Sequence, residues 1–328
     1  MAYLDKVSKK RGPTKQAPTR TLSGPGEALF FGSVVSMPAQ LSVLCLLPSA
    51  LAMLWLVLRA RWFWNHNPEL QFGWVVLVLW GYLLWEAWGQ RPAPRFRWTW
   101  KGVLLTSFGL GMLFFAQLYQ AAFGMTTEGM GALGVGAMSF IAGNFFYVFG
   151  WDGSRRFAFV FAFFCLALPV PETIYYPLVN GLQSKVAALN VELLNLLGVP
   201  AERLGNAIRL PGCVVGIDEA CSGIRSLQST IMATLFIGHL TLGKKSLQAA
   251  LFGLGLALAM GGNLLRSLFL SYAAHARGPK AIETFHDAAG WSILAFTAAG
   301  VAAAAWWLGR WEKALPHPPP EVPTPAPS

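Results

Sequence analysis

The stretch Gly216-Ile217-Asp218-Glu219-Ala220-Cys221-Ser222-Gly223-Ile224-Arg225-Ser226 gathers two carboxylates, a thiol, two hydroxyls and a guanidinium at the mouth of a long apolar run. A thiol is a good nucleophile only as the thiolate, and its pKa falls near a helix N-terminus or a cation. Cys221 has the first, and Arg225, four residues on, shares its helix face. Two further stretches carry groups that suit acyl transfer: Asn263-Leu264-Leu265-Arg266 and Phe285-His286-Asp287-Ala288-Ala289-Gly290-Trp291. His286 is a general base or acid, and an arginine such as Arg266 can stabilise a developing oxyanion. Asn263 lies one turn, about 5 Å, deeper on the face of Arg266, suited to orienting it or a substrate backbone. Glu219, Ser222 and Arg225 complete the set as supporting or substrate-binding residues. Adjacency alone does not make Asp287 the partner of His286, because helix neighbours point about 100° apart.

Each of these residues also has an ordinary reading. A cysteine in a membrane is usually a small packing residue, an arginine near a helix end snorkels to the interface, and a histidine there is often only interfacial. His66 and His275 are rivals to His286. The weight comes from their convergence, which depends on the elements that carry them.

The chain has 328 residues, 55% hydrophobic and 12% charged, with a mean hydropathy of +0.48. Recurring apolar runs of about 20 residues define an all-α, polytopic transmembrane helical bundle. Eight spans are read: 39–58, 72–88, 103–123, 130–149, 157–170, 217–240, 247–270 and 288–308. Residues 1–30 form a disordered basic tail, 31–310 a single membrane domain, and 311–328 a proline-rich tail. Between spans five and six, Ile174, Leu178, Leu182, Val186, Leu189, Leu193 and Leu197 recur every three or four residues, marking an extracytoplasmic amphipathic helix. Residues 198–215 read as a loop or short hairpin.

The net charge of +10 does not imply nucleic acid, since the basic residues cluster between apolar runs. With the N-terminus inside, the inner segments hold Lys6 to Arg20, Arg91, Arg95, Arg97, Lys101, Arg155, Arg156, Lys244, Lys245, Arg310 and Lys313, more than twice the basic residues of the outer ones. Both termini are then cytoplasmic. In this topology Cys221 begins the sixth span at the outer face, Arg266 lies near the outer end of the seventh, and His286 sits in the outer loop before the eighth. The four cysteines form no CxxC pair, so neither a metal site nor a cofactor is expected.

Glu219-Ala220-Cys221-Ser222-Gly223-Ile224-Arg225-Ser226 resembles the signature of the exosortase/archaeosortase family of membrane cysteine transpeptidases. Asn263-Leu264-Leu265-Arg266 is similar to that family's NxxR element, and Phe285–Gly290 to its histidine element. Asn67-Pro68-Glu69-Leu70-Gln71-Phe72-Gly73-Trp74 is similar to a region where many members carry serine-histidine-glycine; here Gln71 and Phe72 replace the first two. The resemblance implies Cys221 as nucleophile, Arg266 as essential arginine and His286 as third member, in a bacterial plasma membrane with the site facing outward. It also implies membrane-anchored protein substrates with a C-terminal motif, helix and basic tail, and water, a polysaccharide or a lipid as acyl acceptor. Membrane lipids are the other partner expected. A different class of function remains beside it: a transporter or lipid-handling protein that binds an anionic group through Arg225 and Arg266. A purely structural membrane protein would tolerate loss of all three residues.

Overall fold

A computed structural model describes residues 39–216 and 224–314. The described chain runs α1 (Ala39–Leu44), α2 (Leu47–His66), α3 (Gly73–Gly89), α4 (Trp100–Phe123), α5 (Thr127–Phe164), a single 3₁₀ turn (Cys165–Ala167), α6 (Glu172–Leu196), β1 (Glu202–Leu204), β2 (Ala207–Leu210), β3 (Cys213–Gly216), α7 (Ile224–Thr241), α8 (Lys245–Arg277) and α9 (Lys280–Ala314). The starts of α4 and α5 are marked by side-chain caps. Thr99 accepts from the Gly102 N–H and Thr126 from the Gly129 N–H, each satisfying a donor the helix cannot.

Among the described residues, five helices are long and apolar enough to cross a bilayer, against the eight spans expected. The difference has physical causes. At 17 residues, α3 measures only about 26 Å, and the expected start of the sixth span lies outside the described residues. The fourth and fifth spans are joined in α5, which breaks at Gly150 (φ 66°, ψ −169°). That backbone conformation favours glycine, and the two arms fold back on each other there. Phe145 stacks edge-on to Phe157 and Phe161 across the hairpin, with ring centres 4.9 and 5.0 Å apart. At its open end the Glu172 N–H donates to Glu128 Oε1.

The alternation of helices gathers two ends. One holds the Asn67–Phe72 turn, the start of α6, the sheet and the start of α7. The other holds Arg95 and Arg97, whose N–H groups donate to Val148 and Tyr147 carbonyls, and Glu312, which accepts from the Gly243 and Lys244 N–H groups. The expected outer loop before the eighth span is nearly absent, because α8 continues to Arg277 and α9 starts at Lys280. His286 is therefore helical.

Residues 198–215 hold more than a hairpin: β1, β2 and β3 form a three-stranded antiparallel meander. Ile208, Leu210 and Val215 of the sheet pack with Val186 and Leu194 of α6 and Ala274 of α8, and Leu264, Leu268 and Ile282 close the cluster. The helix expected between spans five and six exists as α6, and its apolar stripe is divided, with Val186 buried, Leu182 and Leu193 half-buried and the rest exposed. It buries Val179, Gln183, Val186, Ala187, Asn190 and Leu194, while Ile174, Leu178, Leu189 and Leu197 are exposed. Partners explain why two amides are buried beside the stripe. Gln183 accepts from Asn206 Nδ2 at 3.0 Å, and Asn190 donates to Ser267 Oγ at 2.7 Å. Buried amides with partners are tolerable, and the leucines turned outward suit an apolar surrounding.

Candidate active site

Arg266 and His286 meet. On α8 and α9 respectively, they bring Arg266 Nη2 to 2.9 Å from His286 Nε2. A guanidinium only donates, so Nε2 carries the lone pair and the proton sits on Nδ1. Nδ1–H in turn donates to Asp287 Oδ1 at 3.0 Å. The pairing that the sequence left open for Asp287 is present: successive Cβ atoms diverge, but the ring and the carboxylate curl together at the protein surface. The pair is superficial, with side-chain exposures of 34% for His286 and 91% for Asp287. Gly290, one turn past His286, lies under the guanidinium, and a Cβ there would stand 3.5 Å from Nη2.

The rival histidines are placed elsewhere. His66 stacks on Trp62 within α2, with ring centres 4.8 Å apart. His275 is exposed on the last turns of α8.

Asn263 is buried, as its depth predicted, but it faces a different neighbour. It lines a cavity of about 190 Å³ with Lys185, Val186 and Leu189 of α6 and Leu227 of α7, on the side of α8 away from His286. Arg225 is exposed on the first turn of α7, in the wall of a larger, mostly apolar cavity of about 830 Å³. Leu70, Phe72, Leu168, Leu178 and Ile231 supply apolar lining, and Asn67, Glu69, Glu172, Tyr175 and Gln228 the polar part. Among the described residues Arg225 forms no ion pair. Leu182 and Leu227 line both cavities, which therefore adjoin near the start of α7.

Across the mouth of the larger cavity, Tyr175 Oη donates to Glu69 Oε2. No sequence signal links those two positions. Glu69 belongs to the segment where serine and histidine are replaced, and Phe72 from the same segment lines the cavity. Gly73 there is required, since a Cβ would fall 2.3 Å from Nε1 of the buried Trp64.

Cys221, Glu219 and Ser222 lie outside the described residues. Both flanks of that interval rest against α8: β3 through the cluster around Val215 and Leu264, and α7 through Thr230 and Thr234 against Gly255.

A family model described as transmembrane exosortase matches residues 64–304, an interval that includes Cys221, Arg266 and His286. No curated protein and no solved structure matches the chain.

Proposed function

The chain belongs to the transmembrane exosortase family, and from that premise we propose that it is a membrane cysteine protease or transpeptidase acting on C-terminal sorting signals of exported proteins. The observation that carries this reading is the 2.9 Å contact between Arg266 and His286, which unites two sequence-distant motifs.

His286 Nε2 is the base. With Arg266 drawn to the substrate carbonyl, the Nε2 lone pair is released to take the Cys221 thiol proton. The thiolate attacks the scissile carbonyl carbon, and Arg266 stabilises the oxyanion. Collapse breaks the C–N bond, and the imidazolium returns its proton to the leaving amine. An amine, hydroxyl or water then attacks the thioester, giving its proton to His286, and Cys221 leaves as the thiolate. Asp287 holds the Nδ1–H tautomer throughout. Arg225, Glu219, Ser222 and Asn263 serve the substrate or the frame of the site.

The substrates are membrane-anchored proteins with a short motif, a helix and a basic tail, and the acceptor is a polysaccharide, a lipid or water. The enzyme sits in the bacterial plasma membrane with its site outward and both termini inside. The grouping of Arg91, Arg95, Arg97, Arg155, Arg156, Lys244, Lys245 and Arg310 toward the end opposite the site supports that orientation.

Co-expression with a reporter bearing such a tail tests the reading. Cys221→Ala should abolish processing at unchanged membrane levels, and wild-type processing by that variant would sink it. A second reading, a lipid-handling protein, draws on the apolar cavity walled by Arg225. It expects Cys221→Ala to be silent and Arg225→Ala to be the damaging change.

A further inference from the structure

The hydrogen bond joining α6 to α8 bears on where Arg266 points. Asn190 is 0% exposed and Ser267 5% exposed, and the amide Nδ2 donates to the hydroxyl over 2.7 Å. Asn190 Oδ1 is buried and has no hydrogen-bond partner among the described residues. An apolar side chain of similar size would fill this position and leave no acceptor unsatisfied. Packing alone therefore does not account for an amide here.

Ser267 follows Arg266 in α8, and consecutive helix residues point about 100° apart. With Ser267 bound toward α6, the Arg266 side chain is turned toward α9, where it meets His286 and lies over Gly290. The bond from Gln248 Nε2 to the Leu242 carbonyl lies about five turns from Ser267, and between the two α8 is gripped by contacts without direction: Gly255 against Thr234 and Gly262 against Ile293. Such contacts set distance between helices better than they set rotation. A turn of α8 by about 20° would carry a guanidinium about 8 Å from the axis through about 3 Å, enough to break the pairing. Misplacements of about 1 Å already lower catalytic rates substantially.

We propose that Asn190 is a positioning residue: through Ser267 it fixes the rotation of α8 and thereby aims Arg266 at His286. On the acyl-transfer reading above, it also aims Arg266 at the reacting carbonyl. Asn190 itself touches neither.

Diethylpyrocarbonate acylates the unprotonated imidazole nitrogen, which in His286 is the Nε2 held by Arg266. The full-length protein in lipid nanodiscs is treated with the reagent, and modification of His286 is followed by mass spectrometry with exposed His275 as internal reference. Asn190→Ala and Asn190→Leu should speed His286 modification severalfold, with Asn190→Leu melting at or above the wild-type temperature. The exchange of Asn190→Ser with Ser267→Asn rebuilds the donor–acceptor pair and should restore the slow rate. An unchanged rate in Asn190→Leu overturns the proposal, as does acceleration that only tracks a lowered melting temperature or that the exchange does not reverse. Because no arm involves Cys221, these outcomes are independent of the Cys221→Ala processing result.

Discussion

The two halves of the bundle use close approach and side-chain bonds to different ends. In the α4–α5 pair the backbones themselves touch. A Cβ on Gly109 would lie 2.5 Å from the Phe140 nitrogen, and one on Gly143 would lie 2.8 Å from the Thr106 nitrogen. Small residues allow such approach, and dispersion between backbones does the rest. Around α8, close approach by Gly255 and Gly262 is joined by a buried polar bond, Asn190 to Ser267. The first half also carries a side-chain bond between its helices, Thr106 Oγ1 to Tyr147 Oη at 3.0 Å, but that bond aims no group at the proposed site. The second must hold Arg266 against His286, and a directional bond suits that task.

The sharpest test of this contrast sets the chemistry of one half against the packing of the other. His286→Ala removes the base, so processing should fall by about 10²–10⁴-fold with membrane levels and melting unchanged. The motivating geometry is the Arg266–His286–Asp287 chain. If His286→Ala lowers the melting temperature in step with processing, the α8–α9 contact is structural and the contrast fails. Gly143→Val is the mirror experiment. Its side chain must enter the Thr106 backbone, which should cost about 1–3 kcal/mol or more. Folded yield should drop while turnover per folded molecule stays near wild type.

Arg225→Ala probes the wall between the halves. Arg225 faces the 830 Å³ cavity rather than His286, so its loss should weaken substrate capture by about tenfold, the scale of one charge-assisted hydrogen bond. The effect should appear at limiting reporter and fade at high reporter expression. A loss that persists at saturation would place Arg225 in the chemical step and merge the two arginines into one site.

Much of this was legible in the sequence because it rests on local rules. Apolar run length marked the helices, the order of basic clusters paired their ends, and that pairing put Arg266 and His286 at one end. What escaped depends on partners far away in the chain. The leucine stripe of α6 marks a helix, but nothing local shows that Gln183 and Asn190 are buried, since their partners Asn206 and Ser267 lie far along the chain. Gly150 reads as one glycine among many, yet its positive φ turns α5 back on itself. The Tyr175–Glu69 bond joins segments that only the assembled bundle brings together.

The smallest effect is expected at Asp287, and it bears on how the site looks in action. A carboxylate that orients a buried catalytic histidine can be worth about 10⁴ in turnover. Asp287 is 91% exposed, and an ion pair in water contributes about 1 kcal/mol or less. Asp287→Asn keeps an acceptor for Nδ1–H, so processing should fall by less than about tenfold, and added salt should shrink the difference further. Asp287→Ala, which removes the acceptor, should do somewhat more. A loss of about 10²-fold or greater in Asp287→Asn would mean that the carboxylate works out of contact with water during turnover. Since the free protein leaves it in solvent, the substrate itself would then have to cover it, and the boundary between the exposed site and the buried frame around Asn190 would move outward on binding.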